Sequence, residues 1–118
     1  MSASEGMCQG EIWWAELPPS DLPGPAFRRP VVVLQADVFN ESAIPTVLCA
    51  PLTSSLRLSG APGTLVLRVE ATGLPADSLA NAAQLYAVPK SLFRTRAGRL
   101  GAAPFELLLR AVDLVLGR

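Results

Sequence analysis

Prolines and glycines interrupt this sequence so often that long regular elements are excluded from most of it. The chain has 118 residues, of which 11 are proline and 9 are glycine. Because proline lacks a backbone N–H and fixes φ, it breaks helices and is confined to the edges of sheets. Such a chain favours many short strands joined by turns over a bundle of helices. Half of the residues are apolar, which is enough to form the core of one domain.

Short apolar runs between these interruptions predict the strands. The best supported is RPVVVLQADVF at 29–39, which is rich in β-branched side chains. The stretch 18–27 holds four prolines and is predicted as a long, stiff loop. The other predicted strands are 10–17, 46–52, 64–70 and the second half of 79–88. Alternation along the first strand places Trp13 and Trp14 on opposite faces, with at least one of them in the core or a dimer interface.

One helix is predicted, over residues 103–117. Pro104 suits its first turn and Gly117 ends it. Its apolar side chains recur every three or four positions, which indicates a single buried face. These side chains are Phe105, Leu108, Leu109, Val112 and Leu116. Strands followed by one helix predict a mainly β fold in the form of a small barrel.

The first nine residues differ in character from the rest of the chain. They are small and polar, so residues 1–9 are predicted as a flexible tail and 10–118 as a single domain. No signal-peptide pattern is visible, nor is any apolar run near the roughly 18 residues that a membrane helix needs. The sequence therefore predicts a cytoplasmic protein that does not enter a membrane.

The composition narrows the possible chemistry. Formal net charge is zero and there is no histidine, the commonest general base and metal ligand. Cys8 and Cys49 lack the spacing of a metal site, and Cys49 lies in an apolar run that predicts burial. The sequence therefore predicts neither a metal nor a cofactor. All basic residues except Lys90 are arginine, which suits phosphate or carboxylate binding, although GC-rich codon usage explains the excess equally well.

Four segments and the final helix form an ordered set. The segments are GEIWWAEL (10–17), RRPVVVLQADVFN (28–40), VLCAPLTSS (47–55) and DSLANAAQLYAV (77–88). In this order they resemble the MazF/PemK toxins of bacterial toxin–antitoxin modules. The first is similar to the family's opening Gly-Asp-(Ile/Val)-(Trp/Tyr) strand, with Glu11 in place of Asp. The second and third resemble its Arg-Pro-Val-Leu-Val-Val strand and its Val-x-Pro-(Ile/Leu/Val)-Thr-(Ser/Thr) segment, and the fourth takes the place of its Asp-to-Gln strand.

The resemblance implies an SH3-like small barrel of the CcdB/MazF type with a C-terminal helix, usually a homodimer. It implies a metal-independent, sequence-specific endoribonuclease (mRNA interferase) that cleaves single-stranded RNA and is blocked by a MazE-like antitoxin with an acidic tail. The family's catalytic pair falls on Arg29 and Thr53. The positions predicted to bind RNA are Arg28, Ser54, Ser55, Arg57, Gln84, Tyr86 and Lys90.

These residues suit a reaction in which the 2′-hydroxyl of the RNA is the nucleophile. Its products are a 2′,3′-cyclic phosphate and a 5′-hydroxyl, and it needs no metal. A guanidinium donates two parallel hydrogen bonds to the oxygens of the pentacoordinate phosphorus, and a threonine hydroxyl adds a third. Arginine stays protonated, so the residues alone predict electrostatic stabilisation, whereas the resemblance also implies Arg29 as the acid or base.

Departures from the family pattern support a second hypothesis. Ala83 precedes Gln84 where some members carry an acid, and Tyr86 stands where a basic residue is common. LPGPAF at 22–27 replaces the family's Gly-Ser-Glu-Gln stretch. The alternative is a non-catalytic or protein-targeting, CcdB-like binding module that turns over no RNA.

The candidate residues also have purely structural explanations. Arg29 can pair with Glu11 or Glu16, and Thr53 can serve only as a turn residue at a strand end. The basic run 90–99 either follows an RNA backbone or is a solvated connector. The aromatic residues can stack on a base as well as fill the core. These aromatics are Trp13, Trp14 and Tyr86.

Overall fold

The computed structural model describes residues 6–17 and 27–118, which contain seven strands, three α-helices and one short 3-10 helix, Lys90–Leu92. The strands are β1 (Glu11–Leu17), β2 (Phe27–Val33), β3 (Thr46–Thr53), β4 (Thr64–Leu67), β5 (Ser78–Asn81), β6 (Tyr86–Pro89) and β7 (Phe93–Arg99). The helices are α1 (Asp37–Asn40), α2 (Val69–Thr72) and α3 (Ala102–Leu116). The predicted proline-rich loop at 18–27 lies outside the described residues, except for its last position.

The strands form one antiparallel path in the order β4-β5-β3-β2-β1-β7, and β6 pairs with β3. In the described ranges β4 and β7 each pair with a single neighbour, so the path does not close through strand pairing. Helix α2 follows β4 almost directly and packs on β7, which brings the two ends of the path together. The predicted mainly β fold with a C-terminal helix is confirmed.

The middle of the sheet contains a division that shapes the surface. Strands β2 and β3 pair only from Val33↔Cys49 to Val31↔Pro51. Beyond that point β2 continues along β1, with Pro30 opposite Trp14. Strand β3 instead continues along β5, with which its residues Leu52 and Thr53 pair. The two strands therefore part, and a gap opens between the start of β2 and the end of β3.

The predicted strand at 29–39 is wrong in its second half. The strand ends at Val33, and Asp37–Asn40 form a short helix. The buried side chain of Asn40 closes this turn, because its Nδ2 donates to the carbonyl of Gln35 at 2.8 Å and to Asp37 Oδ1 at 3.1 Å. Polar side chains thus end a strand whose apolar pattern alone continues to Phe39.

Two further predicted strands are also wrong in extent. The strand at 64–70 stops at Leu67 and is followed by α2, whose first N–H, from Val69, donates to Asp77 Oδ1 at 2.9 Å. The strand at 79–88 is two strands, β5 and β6, separated by a turn. Asn81 builds that turn, since its Oδ1 accepts the backbone N–H of Ala83 at 2.9 Å.

The basic connector predicted after β6 is largely a strand, β7. It pairs with β1, and its arginines reach the acidic side chains of that strand. Arg94 Nη2 lies 2.7 Å from Glu16 Oε1, and Arg96 Nη1 lies 2.8 Å from Glu11 Oε2. Part of the basic run is therefore engaged in ion pairs across the sheet.

The apolar residues divide into two clusters on opposite faces of the sheet. The first includes Ile12, Val32 and Leu52, and α3 covers part of it through the fully buried Leu108. The second includes Val31, Val33 and Cys49. Trp14 packs on the first cluster and Trp13 on the second, so their predicted opposition is confirmed. The predicted helix and the burial of Cys49 are confirmed as well.

The chain before β1 is packed against the sheet from Met7 onward. Met7 is buried in the second cluster, and Gln9 donates its backbone N–H to Asp37 Oδ1 at 2.7 Å. Residues 6–9, which the sequence assigns to a flexible tail, are thus tied to the folded part, and residues 1–5 lie outside the described range. Among the described helices, none has the length and apolarity that crossing a bilayer requires.

Glu11 is the most deeply buried acid of the described residues, with 2% of its surface exposed. Its Oε1 accepts the Cys8 backbone N–H at 2.7 Å and the Trp13 indole N–H at 3.0 Å. Burial alone raises the pKa of the Glu11 carboxyl, but the hydrogen bonds from Trp13, Arg96 and Cys8 outweigh it and leave the pKa below its ordinary value.

Because the folded-state pKa of Glu11 is lowered, its charged form stabilises the fold above the unfolded value of about 4.3. This stability is lost as pH falls through the folded-state pKa. We expect Glu11→Gln to cost about 1–2 kcal/mol at neutral pH and to flatten the decline in acid. Thermal unfolding of both proteins between about pH 3 and pH 7 measures this, and parallel curves would contradict it.

Candidate nucleic-acid interface

A groove of about 340 Å³ occupies the gap where β2 and β3 part. One wall comes from the start of β2, a second from the end of β3, and a third from the loop between α2 and β5. The described lining residues are Trp14, Arg28, Arg29, Pro30, Leu52, Thr53, Ser54, Leu74, Pro75, Ala76 and Ser78. The groove thus collects residues from four separate stretches of sequence.

Arg29 and Thr53 both line this groove. The β2–β3 pairing ends at Val31 and Pro51, and Arg29 and Thr53 each lie two residues beyond that end, on β2 and on β3. Because side chains alternate along a strand, both lie on the same face, at the end of the paired region. Both are partly buried, which limits their freedom without closing them off from solvent.

The hydroxyl of Thr53 is held by its own loop. Thr53 Oγ1 accepts the backbone N–H of Ser55 at 3.2 Å, which fixes the oxygen and leaves its proton available for donation. Ser54, exposed beside it, also lines the groove. The β3 wall of the groove thus carries hydroxyl donors, and the β2 wall carries the Arg29 guanidinium.

One part of the groove lining carries cationic and hydroxyl groups, and the rest of the lining is apolar. Arg28 is exposed and Arg29 half-buried, and no carboxylate is among the described lining residues. Nor does the described part of the chain group three His, Cys, Asp or Glu side chains as metal ligands would be. Such a surface is chemically suited to an anionic group next to an apolar one.

The third wall, residues 74–76, is held by short polar contacts and close backbone packing. Thr72 is fully buried, and its Oγ1 accepts the backbone N–H of Leu74 at 3.0 Å. At the other end, Asp77 accepts from the N-terminus of α2. Thr72 and Gly73 cross Ala97 and Gly98 of β7 so closely that a Cβ on Gly98 would lie 2.3 Å from the Thr72 carbonyl oxygen.

Comparison with known proteins identifies the fold and the family. A family model described as "PemK-like, MazF-like toxin of type II toxin-antitoxin system" matches residues 8–116. The chain belongs to this family. It is 37% identical over 110 residues to Endoribonuclease MazF6 of Mycobacterium tuberculosis (strain H37Rv), covering 93% of each chain. The toxin family predicted from the ordered segments is thereby confirmed.

Solved structures of MazF toxins share the fold. The Mycobacterium tuberculosis toxin MazF-mt6 superposes with a TM-score of 0.74 at 21% identity, over 91% of this chain and 96% of that one. An endoribonuclease from a mycobacterial species, solved in complex with its cognate antitoxin, gives a TM-score of 0.75 at 16% identity, over 94% and 95% of the two chains. The open strand path of this chain is thus of the MazF type.

Four of the residues predicted for catalysis or RNA binding meet in the groove of this MazF-type toxin, and five do not line it. The four are Arg28, Arg29, Thr53 and Ser54. The five outside the described lining are Ser55, Arg57, Gln84, Tyr86 and Lys90. Ser55 reaches the site indirectly, through its N–H to Thr53. Arg57 is exposed in the loop between β3 and β4.

The remaining three predicted RNA contacts belong to the β6 side of the toxin. Gln84 is exposed in the turn before β6, and Tyr86 packs against the second apolar cluster opposite Cys49. Lys90 Nζ donates to the carbonyl of Ser42 at 2.9 Å. That these three residues bind RNA therefore stays a prediction, because none of them is among the described lining residues of the groove.

Sequence reasoning did not find the third wall of the groove. Leu74, Pro75 and Ala76 carry no motif of their own, and their place depends on how α2 crosses β7. The carboxylates offered as partners for Arg29 are each bound to an arginine of β7. The only signal available was position, since residues 74–76 come directly before a segment that resembles the family.

Proposed function

We propose that this MazF-type endoribonuclease cleaves single-stranded RNA in the groove between β2 and β3, without a metal, using Arg29 and Thr53. The observation that carries the proposal is that Arg29 and Thr53, each two residues beyond the end of the β2–β3 pairing, line one groove whose described lining holds two arginines and no carboxylate. A phosphate is the anion that fits a guanidinium facing hydroxyl donors.

The reaction is an internal transesterification. The 2′-oxygen attacks the adjacent phosphorus, a P–O2′ bond forms, and the P–O5′ bond breaks. Charge accumulates on the nonbridging oxygens, where Arg29 donates two parallel hydrogen bonds and Thr53 a third. Donors held in place before the reaction lower the barrier because they need no reorganisation as charge develops.

The two protons of the reaction have separate fates. The 2′-hydroxyl loses its proton to water, and the departing 5′-oxygen gains a proton from water. Arg28 and Ser54, at the outer end of the groove, bind the neighbouring phosphate and orient the strand. With no histidine in the chain, transition-state electrostatics supply most of the rate.

The biological setting follows from the family and the charge of the groove. We propose that the toxin acts in the cytoplasm as a homodimer with one domain over residues 10–118. A cognate MazE-like antitoxin blocks it by placing an acidic tail in the arginine-bearing groove, where opposite charge favours binding. The mycobacterial relative solved with its antitoxin supports such a partner.

Incubation of the purified protein with a long single-stranded RNA in excess EDTA tests the activity. We expect cleavage at a limited set of sites, leaving 2′,3′-cyclic phosphate and 5′-hydroxyl ends, because the 2′-hydroxyl and the groove donors suffice. An all-2′-O-methyl RNA of the same sequence serves as the control and stays intact. Activity that appears only when a divalent ion is restored would contradict the mechanism, and no cleavage at high enzyme excess would favour the binding-module hypothesis.

A further inference from the structure

We infer that Trp14 is the stacking platform for one nucleobase of the RNA, the base next to the phosphate bound by Arg29. This inference rests on the proposed function for the identity of the ligand. The sequence left base stacking open for three aromatic residues, and this inference assigns it to Trp14 and explains why the groove is largely apolar. A nucleic-acid strand presents a flat apolar base beside each phosphate, so its site needs both kinds of surface.

The position of Trp14 relative to the arginines follows from the register of β1 and β2. Trp14 lies opposite Pro30, and the next pair along the ladder is Ala15 with Arg29. The side chains of the Ala15–Arg29 pair point to the opposite face of the sheet. The cross-strand pair Trp14–Pro30 nevertheless forms the floor of the same groove that Arg29 lines, because the groove opens where β2 and β3 part. A phosphate on Arg29 brings its adjoining base over this pair.

The groove also has a surface facing this floor. Leu74 and Pro75 come from the loop after α2, and Pro75 is exposed. A base that enters the groove thus meets apolar side chains from two walls, Trp14 and Pro30 on one and Leu74 and Pro75 on the other. Stacking of this kind changes affinity about 5- to 150-fold per base.

The neighbouring tryptophan shows what a structural tryptophan looks like in this fold. Trp13 donates its indole N–H to the buried Glu11 at 3.0 Å, and its ring meets Phe93 edge to face, with centroids 6.0 Å apart. Trp14 has no hydrogen-bond partner within the described part of the chain. Because no described side-chain nitrogen is buried without a partner, its indole N–H reaches solvent and is open to a base or phosphate acceptor.

Two single-tryptophan proteins separate these roles, since the chain contains only Trp13 and Trp14. Trp13→Phe leaves Trp14 as the sole fluorophore, and Trp14→Phe leaves Trp13. The probe is a mixed-sequence, all-2′-O-methyl RNA, which binds without being cleaved, and binding is followed separately by anisotropy of a label on the RNA. We expect strong quenching in Trp13→Phe and little in Trp14→Phe.

Affinity provides the second readout. We expect Trp14→Leu, which keeps an apolar side chain against the first cluster, to bind the labelled RNA about tenfold more weakly. A matched abasic oligomer is expected to bind both proteins equally and to leave Trp14 fluorescence unchanged. Unfolding temperatures of the three variants establish that each is folded at the assay temperature.

The outcomes distinguish failure of the stacking from failure of the activity. Labelled RNA that binds Trp13→Phe without quenching, or binds Trp14→Leu as tightly as wild type, overturns the stacking role. If the wild type nevertheless cleaves RNA in EDTA, the proposed function stands. A wild-type protein that binds but cleaves no RNA overturns the activity alone, and one that binds no RNA overturns both.

Discussion

Arg29→Ala is expected to reduce RNA cleavage about 10²- to 10³-fold while leaving the fold intact. Arg29 lies two residues beyond the end of the β2–β3 ladder, and in the proposed mechanism it supplies two donors to the charge that develops on phosphorus. Arg29→Lys is expected to recover little of the loss, because an ammonium cannot reproduce a planar, two-pronged contact. Single-turnover cleavage of RNA in EDTA, with unfolding temperature as a check on folding, measures the effect.

Two further variants test whether the loss is due to the position of the Arg29 guanidinium. Arg110→Ala removes an exposed arginine from α3, outside the groove lining, and is expected to cleave at close to the wild-type rate. Combining Arg29→Ala with Thr53→Val is expected to cost less than the sum of the two single losses, because both act on the same phosphate. Equal loss in Arg110→Ala and Arg29→Ala would point to net charge rather than to a placed guanidinium.

Gly98→Ala is expected to destabilise the protein by about 3 kcal/mol and to lower its unfolding temperature by about 10 °C. A Cβ at this position would lie 2.3 Å from the carbonyl oxygen of Thr72 and 3.1 Å from its carbon. Both are backbone atoms, so no rotamer change relieves the clash, and α2 must move off β7. Since residues 74–76 follow α2, the third wall of the groove moves with it and RNA binding weakens.

Gly101→Ala is the matched control for this substitution. Gly101 precedes α3 with φ of −68°, and an added Cβ would meet only Pro104 Cδ, at 3.9 Å. We expect a change below about 1 kcal/mol. Equal unfolding temperatures for Gly98→Ala and the wild type would show that α2 and β7 do not pack as closely as described.

Local sequence patterns predicted the elements that can be recognised from the spacing of their own apolar side chains. The valines at 31–33 are buried on both faces, so an uninterrupted apolar run identifies their strand. Helix α3 is equally plain, because Leu108 and its neighbours repeat at helical spacing. The choice of Arg29 and Thr53 as a catalytic pair came from the family resemblance and stays a prediction, although both residues line one groove.

Elements that depend on distant partners were missed for a physical reason. Strand β7 reads RTRAG along most of its length, and it is a strand because β1 supplies both its backbone partners and the carboxylates of Glu11 and Glu16. Helix α1 is one turn closed by Asn40, too short to leave a periodicity. The third groove wall depends on the Thr72–Gly98 crossing, which no local pattern encodes.

The divergence of β2 from β3 suggests how toxins of this kind come to differ in the RNA sequence they cut. The frame of the groove is set by main-chain hydrogen bonds, which end at Val31 and Pro51 whatever side chains follow. Residues on the floor and on the third wall, such as Trp14 and Pro75, can therefore be exchanged without disturbing the ladder that presents the guanidinium. A few substitutions at such positions can therefore change which RNA sequence the toxin prefers, while the chemistry of cleavage stays the same.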